Sequence, residues 1–480
     1  MKIFNKVIGV LVGASLLFGC AEDYLETMPT DAVSGDEVFN TTDGALVALN
    51  GTYRRMWTST THGQFGQKST DLTFDLMGED MVVHSQGYGW FNAEYNFSQT
   101  VNPGNGTRSD YLWSYNYIIA NNASRLIANT PDAVGPQDDK DYIIGQGHVL
   151  RAYSYFYLAN SFQQNVTIDP SAPGVPIYRE PTSEGASRAP LSEVYAFINE
   201  DLDRGIALLE GKDRRHISHA TAAVARGLKA RVALQAGDYP AAAQYANAAR
   251  QGLGLMNPDQ YNAGFSKYNP EWMWGLEIID DQATIFASFF SHLDPIILSY
   301  ASLGGQKKIN TNLYSYMSDT DARKANFITP GTGAGTTPDY ASIKFVVANP
   351  GSWDADYLLM RASEMYLIEA EALARTGQDG PAADLLNELV SARDAAYSFS
   401  GAGQALIDEI LIQRRIELWG EGFRYLDIKR LDLGLDRTGT IHNPALAQIM
   451  ELPARDNMWI FRIPLREIDA NDNIGMSDQN

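Results

Sequence analysis

Gly87-Tyr88-Gly89-Trp90-Phe91-Asn92 sets three aromatic rings almost side by side between glycines. Neighbouring side chains leave a strand on opposite faces and a helix around its circumference, so three such rings cannot all turn inward. At least one is expected to stand in solvent, and Trp90 leads, with Tyr88 and Phe91 beside it. An outward ring offers a flat apolar platform to a C–H face, while an amide such as Asn92 meets hydroxyl edges. Phe289-Phe290-Ser291-His292 forms a second candidate, through Phe290 and His292, and Trp57, Tyr300 and Trp353 follow. Burying about 100 Å² of apolar surface contributes roughly 2.5 kcal/mol. Ordering costs offset part of it, so two or three rings give reversible binding on the order of micromolar to millimolar. Trp113, Trp274, Trp419 and Trp459 fall in scaffold-like stretches and are expected in the core; Trp272, two places ahead of Trp274, is left open.

Signals for bond-breaking chemistry are weak. No GxSxG elbow, HExxH pair or Walker loop occurs in the sequence. His216 and His219 are three apart but lack a nearby third ligand, and a helix start capped by Ser218 is the expected reading. Asp469-Ala470-Asn471-Asp472-Asn473 lacks the glycine that a calcium loop needs at its sixth place and reads as a C-terminal turn. Carboxylates are plentiful, so a glycosidase acid–base pair stays open on composition, because such a pair is defined by spacing in three dimensions. No cofactor and no metal is implied.

Cys20 is the single cysteine, which excludes an internal disulfide or a multi-cysteine metal site. Lys2 and Lys6 precede an uncharged apolar run over 7–19, too short to span a bilayer and suited to a signal peptide. The run ends Leu17-Phe18-Gly19-Cys20, which resembles a bacterial lipobox. Residues 1–19 are thus expected to be removed, Cys20 to carry lipid, and 20–40 to form a tether with an acidic start. A multiply acylated cysteine anchors stably where one chain does not.

Helical patterns dominate the body expected over 41–480. Stretches 114–130 and 141–161 read as helices, and 190–209 carries an apolar stripe of Val194, Ile198, Leu202, Ile206 and Leu209 behind Ser192 as a candidate N-cap. Stretches 228–249 and 369–389 resemble each other: a small-residue helix stops at Gly237 or Gly377, a turn with Pro240 or Pro381 follows, and an Ala-rich helix returns. That is the pattern of a tetratricopeptide-like hairpin, without its regular 34-residue repeat. The fold class is therefore mainly α, a helix-hairpin scaffold with long irregular loops, near 58–110 and 256–350, and a few short strands such as 273–279 and 343–347. The net charge of −21 argues against a nucleic-acid partner.

Several stretches resemble one family, the SusD/RagB-like nutrient-uptake lipoproteins of Bacteroidetes outer membranes. Tyr24-Leu25-Glu26-Thr27-Met28-Pro29 looks like its entry segment, and Trp113, Tyr115, Ile118 and Asn121 like a signature helix. Arg151-Ala152-Tyr153 through Leu158 resembles another, as does Asp201-Leu202-Asp203. Arg361-Ala362-Ser363-Glu364-Met365-Tyr366-Leu367, followed by Glu369-Ala370-Glu371-Ala372, resembles a further motif. So does Arg414-Arg415-Ile416-Glu417-Leu418 with Glu421-Gly422-Phe423-Arg424-Tyr425-Leu426-Asp427, where Gln413 and Trp419 depart from the common pattern. Ile463-Pro464 and Arg466 to Asn471 look like the closing segment. Among the charges of the Glu417 region, Glu421–Arg424 and Asp427–Arg430 have helical i,i+3 spacing and Glu417–Glu421 is a like-charge pair needing arginine partners.

The resemblance implies a lipid-anchored, surface-exposed protein of the cell outer membrane that binds oligosaccharides or polysaccharides without cleaving them. It implies a SusC-like TonB-dependent transporter as partner, with the helix pairs facing that partner and the loops carrying the ligand. A helical-repeat adaptor for a peptide or protein, and less readily a glycoside hydrolase, are the alternatives.

Overall fold

The computed structural model describes residues 37–480. The leader, Cys20, the tether up to residue 36 and the 24–29 segment lie outside the described residues. The main helices are α1 (Thr42–Arg55), α2 (Gln67–Leu76), α3 (Arg108–Asn129), α4 (Gln137–Phe162), α5 (Leu191–Leu209), α6 (Ala222–Gln235) and α7 (Tyr239–Arg250). They continue with α8 (Phe289–Leu293), α9 (Ala362–Arg375), α10 (Asp379–Ser391), α11 (Gln404–Glu417), α12 (Arg424–Arg430) and α13 (Leu465–Ala470). Eight short strands join in antiparallel pairs: β1 (Ser59–Thr61) with β2 (Gln64–Phe65), β3 (Met81–Val83) with β5 (Lys307–Ile309), β4 (Trp272–Leu276) with β6 (Tyr357–Arg361), and β7 (Leu435–Asp436) with β8 (Glu451–Leu452). The fold is mainly helical, as expected. Among the described residues no helix is long and apolar enough to cross a membrane.

The helices pack in sequence, α3 on α4, α4 on α5 and α6 on α7. On α5 the stripe behaves as read, with Val194, Ile198, Leu202 and Leu209 buried. Its N-cap position is Pro190 rather than Ser192, which lies inside the first turn. From Tyr142 onward α4 is buried on nearly every side, because it runs between two neighbours. In α7 Asp238 caps the start by accepting from the Ala241 amide, and Ala242, Ala246 and Ala249 face inward at helical spacing. The second hairpin, α9–α10, meets the first through α7, where Asn247 and Arg250 hold Glu369 at 2.8 and 2.6 Å. Helix α6 is capped by Thr221; Ser218 instead accepts from the Glu277 amide.

Strand β4 confirms one expected strand, but 343–347 is irregular and the partner of β4 is β6. Residues two apart share a strand face, and the register shifts at this point; Trp272 and Trp274 are both buried. Trp113, Trp419 and Trp459 are also core. The stretch 58–110, read as loop, contains α2. All ten α2 residues are buried although most are polar, so no apolar stripe announced it.

A buried knot of charge ties the C-terminal segment to the rest. Glu417 accepts from Arg361 at 2.6 Å, Arg393 at 2.9 Å and Arg323 at 3.2 Å. Glu271 adds bonds to Arg361 and Arg393 at 3.0 and 2.5 Å. Helix α11 ends at Glu417 and the chain turns through Gly420 and Gly422, so Glu421 pairs with Arg361 and Lys344, each at 2.8 Å, not with Arg424. Arg424 reaches Glu79 and Arg415 reaches Asp80, both at 2.5 Å. Asp427 does pair with Arg430, at 2.7 Å, and also with Arg414, at 2.8 Å. Three arginines hold the Glu417 carboxyl well below its ordinary range against the upward push of burial.

Candidate functional site

Three loop segments meet at one place on the surface: the β1–β2 turn, residues 84–91 after β3, and the stretch around α8. Short bonds fasten them. Ser59 Oγ donates to the Ala287 carbonyl and Ser85 Oγ to that of Gly304. His292 Nε2 donates to the His62 carbonyl at 2.7 Å. Gly87 lies at φ +49°, and a Cβ there would come within 3.1 Å of the Gly305 amide nitrogen, so glycine allows the 84–91 segment to rest on Gly304–Gly305.

Tyr300 is the hub of the outer layer. Its ring centroid lies 5.4 Å from Tyr88, 5.9 Å from Trp90, 5.6 Å from His62 and 5.1 Å from Phe286. Its hydroxyl is hydrogen-bonded to His62 Nδ1. Trp90 and His62 lie nearly parallel, 5.6 Å apart at 28°. Tyr88 is 67% and Trp90 37% exposed, and His62 is exposed too. The result is an aromatic outcrop with imidazole and phenol groups at its edges.

A second layer supports it. His292 stacks under Tyr300 at 5.2 Å and 18°, against Phe65 at 5.4 Å, and edge-on to Phe91 at 4.9 Å. Burial, with Lys307 nearby, pushes the His292 imidazole down to about 3, so it is neutral at ordinary pH. Lys307 is itself brought down to about 8 by burial, and donates to the Gly305 carbonyl at 2.8 Å. Arg108 lies 5.0 Å from the Phe91 ring centre, bonds Glu94 at 2.9 Å and donates to the Gly63 carbonyl at 2.8 Å. His292, Lys307 and Arg108 each make at least one hydrogen bond below the rings.

The residues singled out from sequence divide accordingly. Trp90, Tyr88 and Tyr300 come together at the surface. Phe91 does not join them: it adopts φ +65°, turns inward and is buried. Phe290 and His292 are buried as well, because α8 is enclosed on all sides; His292 supports the site from below, while Phe290 packs on Phe289 and Tyr357. Asn92 donates its amide to the Gln86 carbonyl at 3.1 Å and thereby ties its own turn. Trp57 and Trp353 are half-buried and share a narrow crevice with Ser59 and Phe290. Trp57 also walls a cleft of about 430 Å³ with Asn50, Arg54, His216, Glu277 and Gln282. His62 and Phe286 were missed: His62 has no aromatic neighbour in sequence, and Phe286 lies just ahead of the Phe289–His292 cluster.

A further cleft of about 500 Å³ lies between α3, residues 182–185 and α13. Its ring edges are already engaged: Trp113 donates to Glu467 at 3.0 Å, Tyr117 to the Pro176 carbonyl at 2.8 Å, and the Tyr155 hydroxyl accepts from the Tyr178 amide at 2.7 Å. Its four rings are also buried or half-buried, whereas Tyr88 and Trp90 are exposed, so the outcrop remains the better candidate. Among the described residues no group of three or more His, Cys, Asp or Glu side chains gathers as a metal site. His219 is bonded to Tyr142 and Asn50, at 2.9 and 2.8 Å.

Comparison with known proteins gives the same picture across the chain. Residues 283–480 match the model of the SusD family, and residues 47–234 match a model described as starch-binding, associating with outer membrane. The SusD-like protein P2 of Formosa agariphila is 28% identical over 473 residues, covering 87% of this chain and 89% of that protein. A SusD-like carbohydrate binding protein from Bacteroides vulgatus superposes with a TM-score of 0.81 at 28% identity, covering 92% of this chain and 98% of its own. A laminarin binding SusD-like protein superposes with a TM-score of 0.69 at 20% identity, with 92% and 98% covered. The stacked helix hairpins, the motifs spread along the chain and these matches place the protein in the SusD/RagB family.

Proposed function

We propose that this protein is a non-catalytic glycan-binding lipoprotein of the cell surface. In this reading residues 1–19 are a signal peptide, Cys20 is acylated, 20–40 tether the protein to the outer membrane, and 41–480 form a single body. The body captures oligosaccharides on the outcrop of Tyr88, Trp90, His62 and Tyr300 and passes them to a SusC-like TonB-dependent transporter.

The observation that carries the proposal is the exposed ring group seated on a buried support that is tied down by hydrogen bonds. Pyranose rings have apolar C–H faces and hydroxyl edges, and Trp90 with Tyr88 presents apolar faces while His62 and Tyr300 present polar edges. A platform already ordered before the ligand arrives avoids much of the ordering cost. Glu94, which lies under the rings, is tied to Arg108, an arrangement suited to support and not to proton transfer. The family's carbohydrate-binding members, including the laminarin-binding neighbour, support the substrate class.

Isothermal titration against starch, laminarin, xylan, fructan and host-type glycans tests it. Binding of at least one in the micromolar to millimolar range is expected, with loss of about tenfold or more in Trp90→Ala. Release of new reducing ends by the purified protein, or binding of none of these glycans, would overturn the reading.

A further inference from the structure

We infer that the outcrop and the Trp57 cleft are two stations of one binding track, so that the protein selects glycan chains by length; the inference rests on the glycan-binding reading and extends it. The two places are joined twice by the chain. Trp57 precedes β1 by two residues and His62 follows it directly, so the five residue steps between them span at most about 17 Å. Along the second segment, Gln282 lines the cleft, Ile285 is exposed, and Phe286 touches Tyr300 at 5.1 Å. The Ser59–Ala287 hydrogen bond pins these two segments to each other midway. A longer chain resting on Trp90 covers a span of that order.

The cleft has the chemistry for a second station. Trp57 supplies an indole wall, and Arg54 lies 5.9 Å from its ring centre. His216 and Glu277, 3.5 Å apart, keep 48% and 44% of their side chains exposed. Imidazole, carboxylate and amide around one indole are the groups that meet hydroxyl edges and a C–H face. His219 takes no part: burial, with His216 and Arg214 close by, pushes it down to about 3, and both its ring nitrogens are engaged. Continuity with the outcrop identifies the occupant as the distal part of the same chain.

The test is titration of wild type, Trp57→Ala, Trp90→Ala and the exposed-site double variant His216→Gln/Glu277→Gln. The probes are malto- and laminari-oligosaccharides of two to eight units, or the matching oligomers of whichever panel polysaccharide binds. Wild-type affinity is expected to rise with length beyond about four units. Trp57→Ala and the double variant should lose about five- to tenfold on the longest oligomers and nothing on di- and trisaccharides. Trp90→Ala should lose affinity at every length. If the Trp57 variant misfolds, the double variant, altered only at half-exposed side chains, decides alone. A flat length profile, or equal loss at all lengths in the cleft variants, overturns the two-station track while leaving the outcrop in place. Failure of wild type to bind any oligomer overturns both.

Discussion

Gly87 shows how far one backbone position governs the outcrop. A side chain there meets two penalties, a left-handed φ of +49° and a Cβ within 3.1 Å of the Gly305 nitrogen. The left-handed conformation alone costs an L-residue roughly 1–2 kcal/mol. Gly87→Ala is therefore expected to shift the 84–91 segment and weaken glycan binding several-fold, read by titration, with a melting temperature lowered by only a few degrees. Trp90 and Tyr88 were legible because three adjacent rings exceed what one buried face accepts. His62 and Phe286 were not legible, since His62 stands alone, Phe286 lies just outside the Phe289–His292 cluster, and both meet Tyr300 only through folding. Phe290 and His292 misled for the opposite reason: an aromatic cluster also suits a five-residue helix enclosed on every side, and nothing local separates the two cases.

At the scale of elements, the charged residues of the C-terminal motif behave as a core. Exposed pairs at that spacing would contribute about 0–1 kcal/mol each. Glu417, buried with three arginines, is different: Glu417→Gln leaves arginines under-compensated and is expected to cost about 3–5 kcal/mol in chemical denaturation. The pH dependence has two limbs. Burial raises the carboxyls of Glu421 and Asp427, but their cationic partners outweigh it and hold both near about 2, below their ordinary values of 4.5 and 3.8. The unfolded chain takes up those protons first, so their stabilisation is present above about pH 4.5 and is lost as pH falls toward 2. Asp75 has the opposite sign. Burial lifts it from 3.8 to about 7 although the amides of Gly422 and Arg424 bond it, so its contribution is full below about pH 4 and is lost as pH rises through 7. Melting temperature against pH should peak where the two windows meet, at about pH 4 to 5, and Asp75→Asn should flatten the upper limb. The helix hairpins were legible from small residues, glycine stops and proline restarts. Helix α2 was hidden because its polar side chains are buried all round, which removes the stripe that marks a helix.

For the whole molecule, the division of labour is between a helical scaffold and a rim built from loops and two-residue to five-residue strands. The scaffold was readable because helix packing repeats every few residues. The rim was not, because it depends on segments far apart in sequence, such as 62 with 300. Attachment is separable from recognition in the proposed function. Cys20→Ala is expected to move the protein from the membrane fraction to a soluble one, checked by fractionation and metabolic labelling with a tagged fatty acid, while titration of the purified body against the same glycan gives an unchanged affinity.

The knot around Glu417 also makes three buried arginines depend on a carboxylate that comes late in the chain. Arg323, Arg361 and Arg393 are laid down before their shared carboxylate, and a copy that stops short of residue 417 holds three cations without that anion. Such a fragment is expected to be less stable than the full chain, read as faster cleavage by an added protease.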